Sequence, residues 1–81
     1  MARYVREFDE RAVHDLEGFS PARIVRRLSE LEESPLPRGD TVKRLTGFAI
    51  PTCRFRVGDY RAIFRTVGTR VIILRVVHRG E

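Results

Sequence analysis

A single cysteine, Cys53, excludes an internal disulfide. Its place on the apolar side of a strand marks it as a small hydrophobe rather than a reactive thiol. Tryptophan is absent, and lysine nearly so: of 16 basic residues only Lys43 is Lys, and the rest are Arg. No apolar run approaches the roughly 20 residues that a membrane-spanning helix needs. No leader pattern is evident, so the expected location is cytoplasmic, with no membrane partner. The two histidines, His14 and His78, are far apart and have no second cysteine near them. A metal cluster is therefore not expected, nor any other cofactor. No glycine-rich phosphate loop follows a strand, and no Ser-His-Asp arrangement is present. The acids gather in the helical segments rather than as a pair poised for acid/base work.

What remains is short and basic. Eighty-one residues make one domain, 1–81. A chain of this size buries roughly 60–65% of its unfolded surface, enough for a thin core. The net charge is +5 and the isoelectric point about 10.6. Such a balance favours a nucleic acid or an acidic protein as partner. Arginine suits phosphate especially, because its planar fork reaches two oxygens at once.

Residues 53–79 carry the densest signal. Cys53 to Val57, Tyr60 to Val67 and Arg70 to His78 are rich in Val, Ile and Phe, as strands are. Gly58-Asp59 and Gly68-Thr69 separate them as two-residue, glycine-first loops, the pattern of type II′ hairpins. A period of two places Cys53, Phe55, Val57, Tyr60, Ala62 and Phe64 on one face. The same count, run along the third strand, puts Ile72, Leu74 and Val76 with them. Six arginines, at 54, 56, 61, 65, 75 and 79, then share the opposite face. Like charges on neighbouring strands repel, and a polyanion would relieve that repulsion. Only Asp59 offers an acid within this stretch. The expectation is an anion-binding surface.

Earlier in the chain, Ala2 to Phe8 alternates as an opening strand. Asp9 is placed to cap a first helix, with Phe8 and Val13 as a hydrophobic staple and Gly18 as the stop. Ser20 and Pro21 begin a second helix, in which Ile24, Val25, Leu28 and Leu31 form an apolar stripe. Pro35 ends it. Residues 34–52 read as a connector, with Val42 to Leu45 as a short extended piece that brings Lys43 and Arg44 beside the sheet. The fold class is α+β, ordered β-α-α-β-β-β: an antiparallel sheet with a helical hairpin packed on one face. His78 shares the parity of Ile72, Leu74 and Val76; a structural place and a proton-transfer role are both open to it.

These residues also match a family. Arg54-Phe55-Arg56-Val57-Gly58-Asp59-Tyr60-Arg61 resembles the RelE/ParE superfamily of toxins, and more narrowly its RelE branch. Lys43-Arg44-Leu45-Thr46-Gly47 before it, Val77-His78-Arg79 after it, and Phe8-Asp9-Glu10-Arg11-Ala12 at the start extend the likeness over nearly the whole chain. The resemblance implies the toxin of a type II toxin–antitoxin pair, with a cognate antitoxin, a toxin–antitoxin hetero-oligomer, and cleavage of mRNA in the ribosomal A site. Carried over by position, Arg54, Arg56, Arg61 and Arg79 correspond to the family's catalytic basic residues. Lys43, Arg44, Arg65 and Arg75 are the expected RNA contacts. Two departures stand out. Many members carry Lys at the positions of Arg54 and Arg56, and arginine is a poor base. The tyrosine that many members place a few residues past Arg79 is not in this sequence, which leaves His78 as the expected base. The superfamily also includes gyrase poisons. A ParE-like gyrase inhibitor and a non-catalytic antitoxin-binding homologue are therefore the alternatives, since a shared scaffold does not choose a target.

Overall fold

Among the described residues, the alternation and punctuation of the sequence become five strands and two helices. The structure is a computed structural model and describes residues 3–18 and 22–78. In chain order the elements are β1 (Val5–Phe8), α1 (Glu10–Glu17), α2 (Ala22–Glu33), β2 (Val42–Leu45), β3 (Thr52–Val57), β4 (Tyr60–Val67) and β5 (Arg70–His78). The strands lie in one sheet in the order β1-β5-β4-β3-β2. Strands β3, β4 and β5 form the expected antiparallel meander. Gly58 and Gly68 take φ of 57° and 60°, while no non-glycine residue among those described has positive φ. A first loop residue with positive φ and a second without is the type II′ pattern.

The α+β class holds, but the sheet is mixed rather than wholly antiparallel. Strand β1 runs parallel to β5, from Val5 opposite Arg70 to Phe8 opposite Ile73. The meander already occupies one edge of β5, so the opening strand takes the other. The extended piece in the connector is a full member of the sheet: β2 pairs antiparallel with β3.

The helices cover one side. The Asp9 side chain accepts from the Arg11 N–H at 2.9 Å, and Gly18 closes α1 with its N–H bonded to the Asp15 carbonyl at 3.1 Å. Ala12 is buried and Leu16 packs on the core, whereas Val13, the expected staple partner of Phe8, stands 47% exposed. In α2, Ile24, Leu28 and Leu31 are fully buried and Val25 partly so, as the stripe predicts. The Ser20-Pro21 start lies outside the described residues. From the sheet, Val42, Phe55, Val57, Ala62, Phe64, Val71, Ile73 and Val76 complete the core.

That set corrects the expected facing of β5. Val71 and Ile73 are buried, while Ile72 and Leu74 are only partly so. The cause is a bulge. Ile63 pairs with Arg75 but the next residue, Phe64, pairs with Ile73, so Leu74 is an extra residue with no partner on β4. Parity reverses across it. Val76 and His78 keep the helix-side facing, and Arg70 and Ile72 turn to the open side.

Beyond Phe8, β1 ends and β5 would present a bare edge. Asp15 of α1 fills the gap. Its Oδ2 accepts from the Val76 N–H at 2.9 Å, and its two oxygens accept from Arg75 Nε at 2.7 Å and Nη2 at 3.0 Å. These bonds, chiefly those from Arg75, hold the Asp15 carboxyl below its ordinary value of 3.8, against the opposing effect of burial. Asp15→Ala leaves a strand N–H and a guanidinium short of acceptors, and is expected to cost about 1–3 kcal/mol near neutral pH. Because the folded pKa is depressed, this stabilisation is present above the unfolded value and fades as pH falls through the folded one. Urea midpoints of wild type and variant should therefore differ at pH 7 and converge in acid. A gap that persists unchanged in acid contradicts the assignment.

Candidate nucleic-acid interface

Rows of directly opposed residues define the face turned away from the helices. One row is Arg56, Arg61 and Val77; the next is Lys43, Arg54, Ile63 and Arg75; a further one brings Arg65 beside Ile72. Opposed residues have Cβ atoms about 4.5–5.5 Å apart. Two like-charged pairs, Lys43–Arg54 and Arg56–Arg61, thus lie side by side at the β2–β3–β4 end of the sheet.

The expectation that acids are scarce here holds only within the three strands; other elements bring them in. Glu7 of β1 binds Arg70 in bidentate fashion, at 2.6 and 2.8 Å. Asp15 binds Arg75 as described. Asp40, in the turn before β2, takes three cations: Lys43 Nζ at 3.0 Å from Oδ1, Arg56 Nη1 at 2.9 Å from Oδ2, and Arg54 Nη2 at 3.5 Å from Oδ1. Arg54 Nη2 also donates to the Asp40 carbonyl at 3.1 Å. Lys43 first, with Arg54 and Arg56, keeps the Asp40 carboxyl below its ordinary value. Arg61 and Arg65 form no ion pair with a described residue; Arg65 Nε donates only to Thr52 Oγ1, at 3.3 Å.

The sequence-derived candidates separate accordingly. Lys43, Arg54, Arg56, Arg61 and Arg65 come together on the open face. Arg75 is on that face too, committed to Asp15. Arg44 pairs with Cys53 on the helix side. There burial pushes the Cys53 thiol up against a weaker pull from Arg44, in keeping with a packing role. His78 also lies on the helix side, opposite Tyr60, its ring 5.0 Å from the tyrosine ring and nearly perpendicular to it. Arg79 is outside the described residues. Two further residues of the face lie outside the parity pattern. Arg70 faces outward because of the Leu74 bulge, which nothing in the strand's composition signals. Asp40 had a visible cue, an acid three positions before the only lysine.

Chemically, this face can hold and polarise a phosphate. Among the described residues it carries no imidazole, thiol or phenol, so its arginines stabilise charge rather than move protons. No group of described residues is arranged to hold a metal ion, and no described helix is long and apolar enough to cross a membrane. A depression of about 600 Å³ on the open face joins Ile63, Leu74 and Phe48 to Arg65 and Arg75. A larger one, about 720 Å³, follows α1 past Glu10, Asp15 and Glu17, where negative charge opposes phosphate.

Comparison with known proteins agrees with this fold. Residues 6–81 match the family described as the ParE toxin of the type II toxin–antitoxin system, parDE. Among solved structures, the chain is similar to the toxin–antitoxin complex RelBE2 of Mycobacterium tuberculosis. The identity is 31% over 95% of this chain and 99% of that one, with a TM-score of 0.78. It is also similar to the archaeal RelE–RelB complex of Pyrococcus horikoshii, at 28% identity over 98% of both chains and a TM-score of 0.77. YafQ of E. coli shares the fold at 11% identity, over 93% of this chain and 92% of that one, with a TM-score of 0.71. No curated protein sequence gives a significant match. Helix-covered on one side and arginine-covered on the other, the chain belongs to the ParE toxin family of type II toxin–antitoxin systems and has the RelE-like fold.

Proposed function

We propose that this toxin cleaves mRNA on the ribosome and is held inactive by a cognate antitoxin. The observation that carries the reading is the direct opposition of Arg56 and Arg61 on an uncovered sheet face, with Arg61 lacking an acidic partner among the described residues. Two guanidiniums at that spacing repel unless an anion lies between them. A phosphodiester supplies that anion. In the reaction, the 2′-hydroxyl attacks the adjacent phosphorus and the 5′-oxygen leaves. Charge grows on the phosphoryl oxygens, which preorganised guanidiniums stabilise. The hydroxyl proton must pass to a group beyond the arginine face. His78 is turned to the helix side at the Tyr60 end of the sheet, so in this reading it takes that proton round the sheet end through a bridging water, and the departing 5′-oxygen takes up a proton from solvent.

An antitoxin fits the same chemistry: an acidic segment would neutralise the open face, and charge complementarity would speed its capture. The similar P. horikoshii structure is a RelE–RelB complex, and that of M. tuberculosis is the toxin–antitoxin complex RelBE2.

Replacing Arg54 and Arg56 together by Ala is expected to flatten the dependence of log K on log salt for ribosome or RNA binding, by about one to two units of slope. An unchanged slope places the binding surface elsewhere. The matching ParE family description favours a second reading, inhibition of gyrase. There, loss of supercoiling activity with intact mRNA is the expected signature.

A further inference from the structure

Asp40 stands apart from the other acids on this face. Glu7 and Asp15 each satisfy one arginine, whereas the Asp40 carboxylate draws in Lys43, Arg54 and Arg56 together. Its oxygens lie 2.9–3.5 Å from their nitrogens, the distances at which a phosphate oxygen would lie. We propose that Asp40 occupies, from within the chain, an oxyanion site for an RNA phosphate, and that the phosphodiester must displace it to bind.

Three features support displacement. The Asp40 side chain is 61% exposed, so nothing packs it in place. It follows Gly39, whose φ of 51° marks a tight turn and around which no neighbour crowds. Arg54, by contrast, is 17% exposed, and its Nε is buried without an acceptor. Asp40 engages that guanidinium only through Nη2, by carboxylate and carbonyl. Once the carboxylate leaves, Lys43 Nζ, Arg54 Nη2 and Arg56 Nη1 each lose their anionic acceptor, and one phosphate can meet all three. The device makes binding selective: an anion with several oxygens and a charge near −1 or beyond competes with Asp40, while a weaker one does not.

This rests on the RNA reading, and the experiment separates the two. Wild type and Asp40→Asn are titrated with a 2′-O-methylated single-stranded RNA, which cannot be cleaved, and separately with inorganic phosphate. Asparagine keeps the size of the side chain and removes its charge. The variant is expected to bind both probes about 3- to 10-fold more tightly at low salt. Its RNA salt slope should be steeper by about 0.7, one more phosphate's worth for a single strand. Thermal melting of both proteins checks that the fold is unchanged. Equal or weaker phosphate binding by Asp40→Asn overturns the proposal and makes Asp40 a residue that positions the arginines. Tighter phosphate binding with no RNA binding by either protein keeps the masked site and overturns the RNA reading.

Discussion

Arg61→Ala is expected to lose mRNA cleavage by about 10²–10³-fold, roughly 3–4 kcal/mol of transition-state stabilisation, with ribosome binding changed by less than about tenfold. The difference between the two readouts is the point. Arg61 faces Arg56 across β3 and β4, and no carboxylate of the described residues competes for it. Its guanidinium is therefore available to the charge that develops as the 2′-oxygen closes on phosphorus. In the proposed function ground-state binding draws on Lys43, Arg54, Arg56 and Arg65 as well, so one lost contact among several matters less. Arg61→Lys keeps a charge but not the planar fork, and should fall between wild type and alanine. Single-turnover cleavage on programmed ribosomes, beside co-sedimentation, reads both quantities. Equal cleavage by Arg61→Ala and wild type removes that residue from the chemistry.

Phe64→Ala is expected to destabilise the fold by about 3–5 kcal/mol. Phe64 is completely buried on β4, beside Cys53 of β3 and Ile73 of β5, in the core that α2 covers with Ile24, Leu28 and Leu31. A chain of 81 residues has a total stability of roughly 4–12 kcal/mol, so the loss takes a large share of it. Urea denaturation should show a midpoint far below that of wild type, or no folded baseline at all. Truncating Val67, exposed beside the Gly68-Thr69 turn on the same strand, is the control and should move the midpoint little. A small shift for Phe64→Ala contradicts the core described.

Local chemistry made most of the fold legible. The glycine-first loops fixed the meander because a positive φ at Gly58 and Gly68 costs nothing there. The Ile24-Leu28-Leu31 spacing identified the buried side of α2 before any packing was known. The parallel pairing of β1 with β5 was not legible, since a strand's residues do not say which edge it will join. Nor was the bulge at Leu74. An apolar run such as Val71-Ile72-Ile73-Leu74 fits either facing, and counting back from Val76 in twos passes through the extra residue unnoticed. The effect is confined to one strand: parity from Val76 gives the facing of Arg75, while beyond the bulge Arg70 and Ile72 face opposite to the count in twos. Within the site, parity found Arg54, Arg56, Arg61 and Arg65 because β3 and β4 are regular. The acids that meet the cations come from β1, α1 and the connector, and pairing over such sequence separations leaves no local trace.

mRNA cleavage and gyrase inhibition are separated by mapping, at nucleotide resolution, the 5′ ends of mRNA on programmed ribosomes after addition of the purified toxin, with a gyrase supercoiling assay on the same preparation. The proposed function predicts new mRNA ends within the A-site codon, dependent on the ribosome and lost with Arg61→Ala, and supercoiling left intact. Uncut mRNA together with inhibited supercoiling would contradict it.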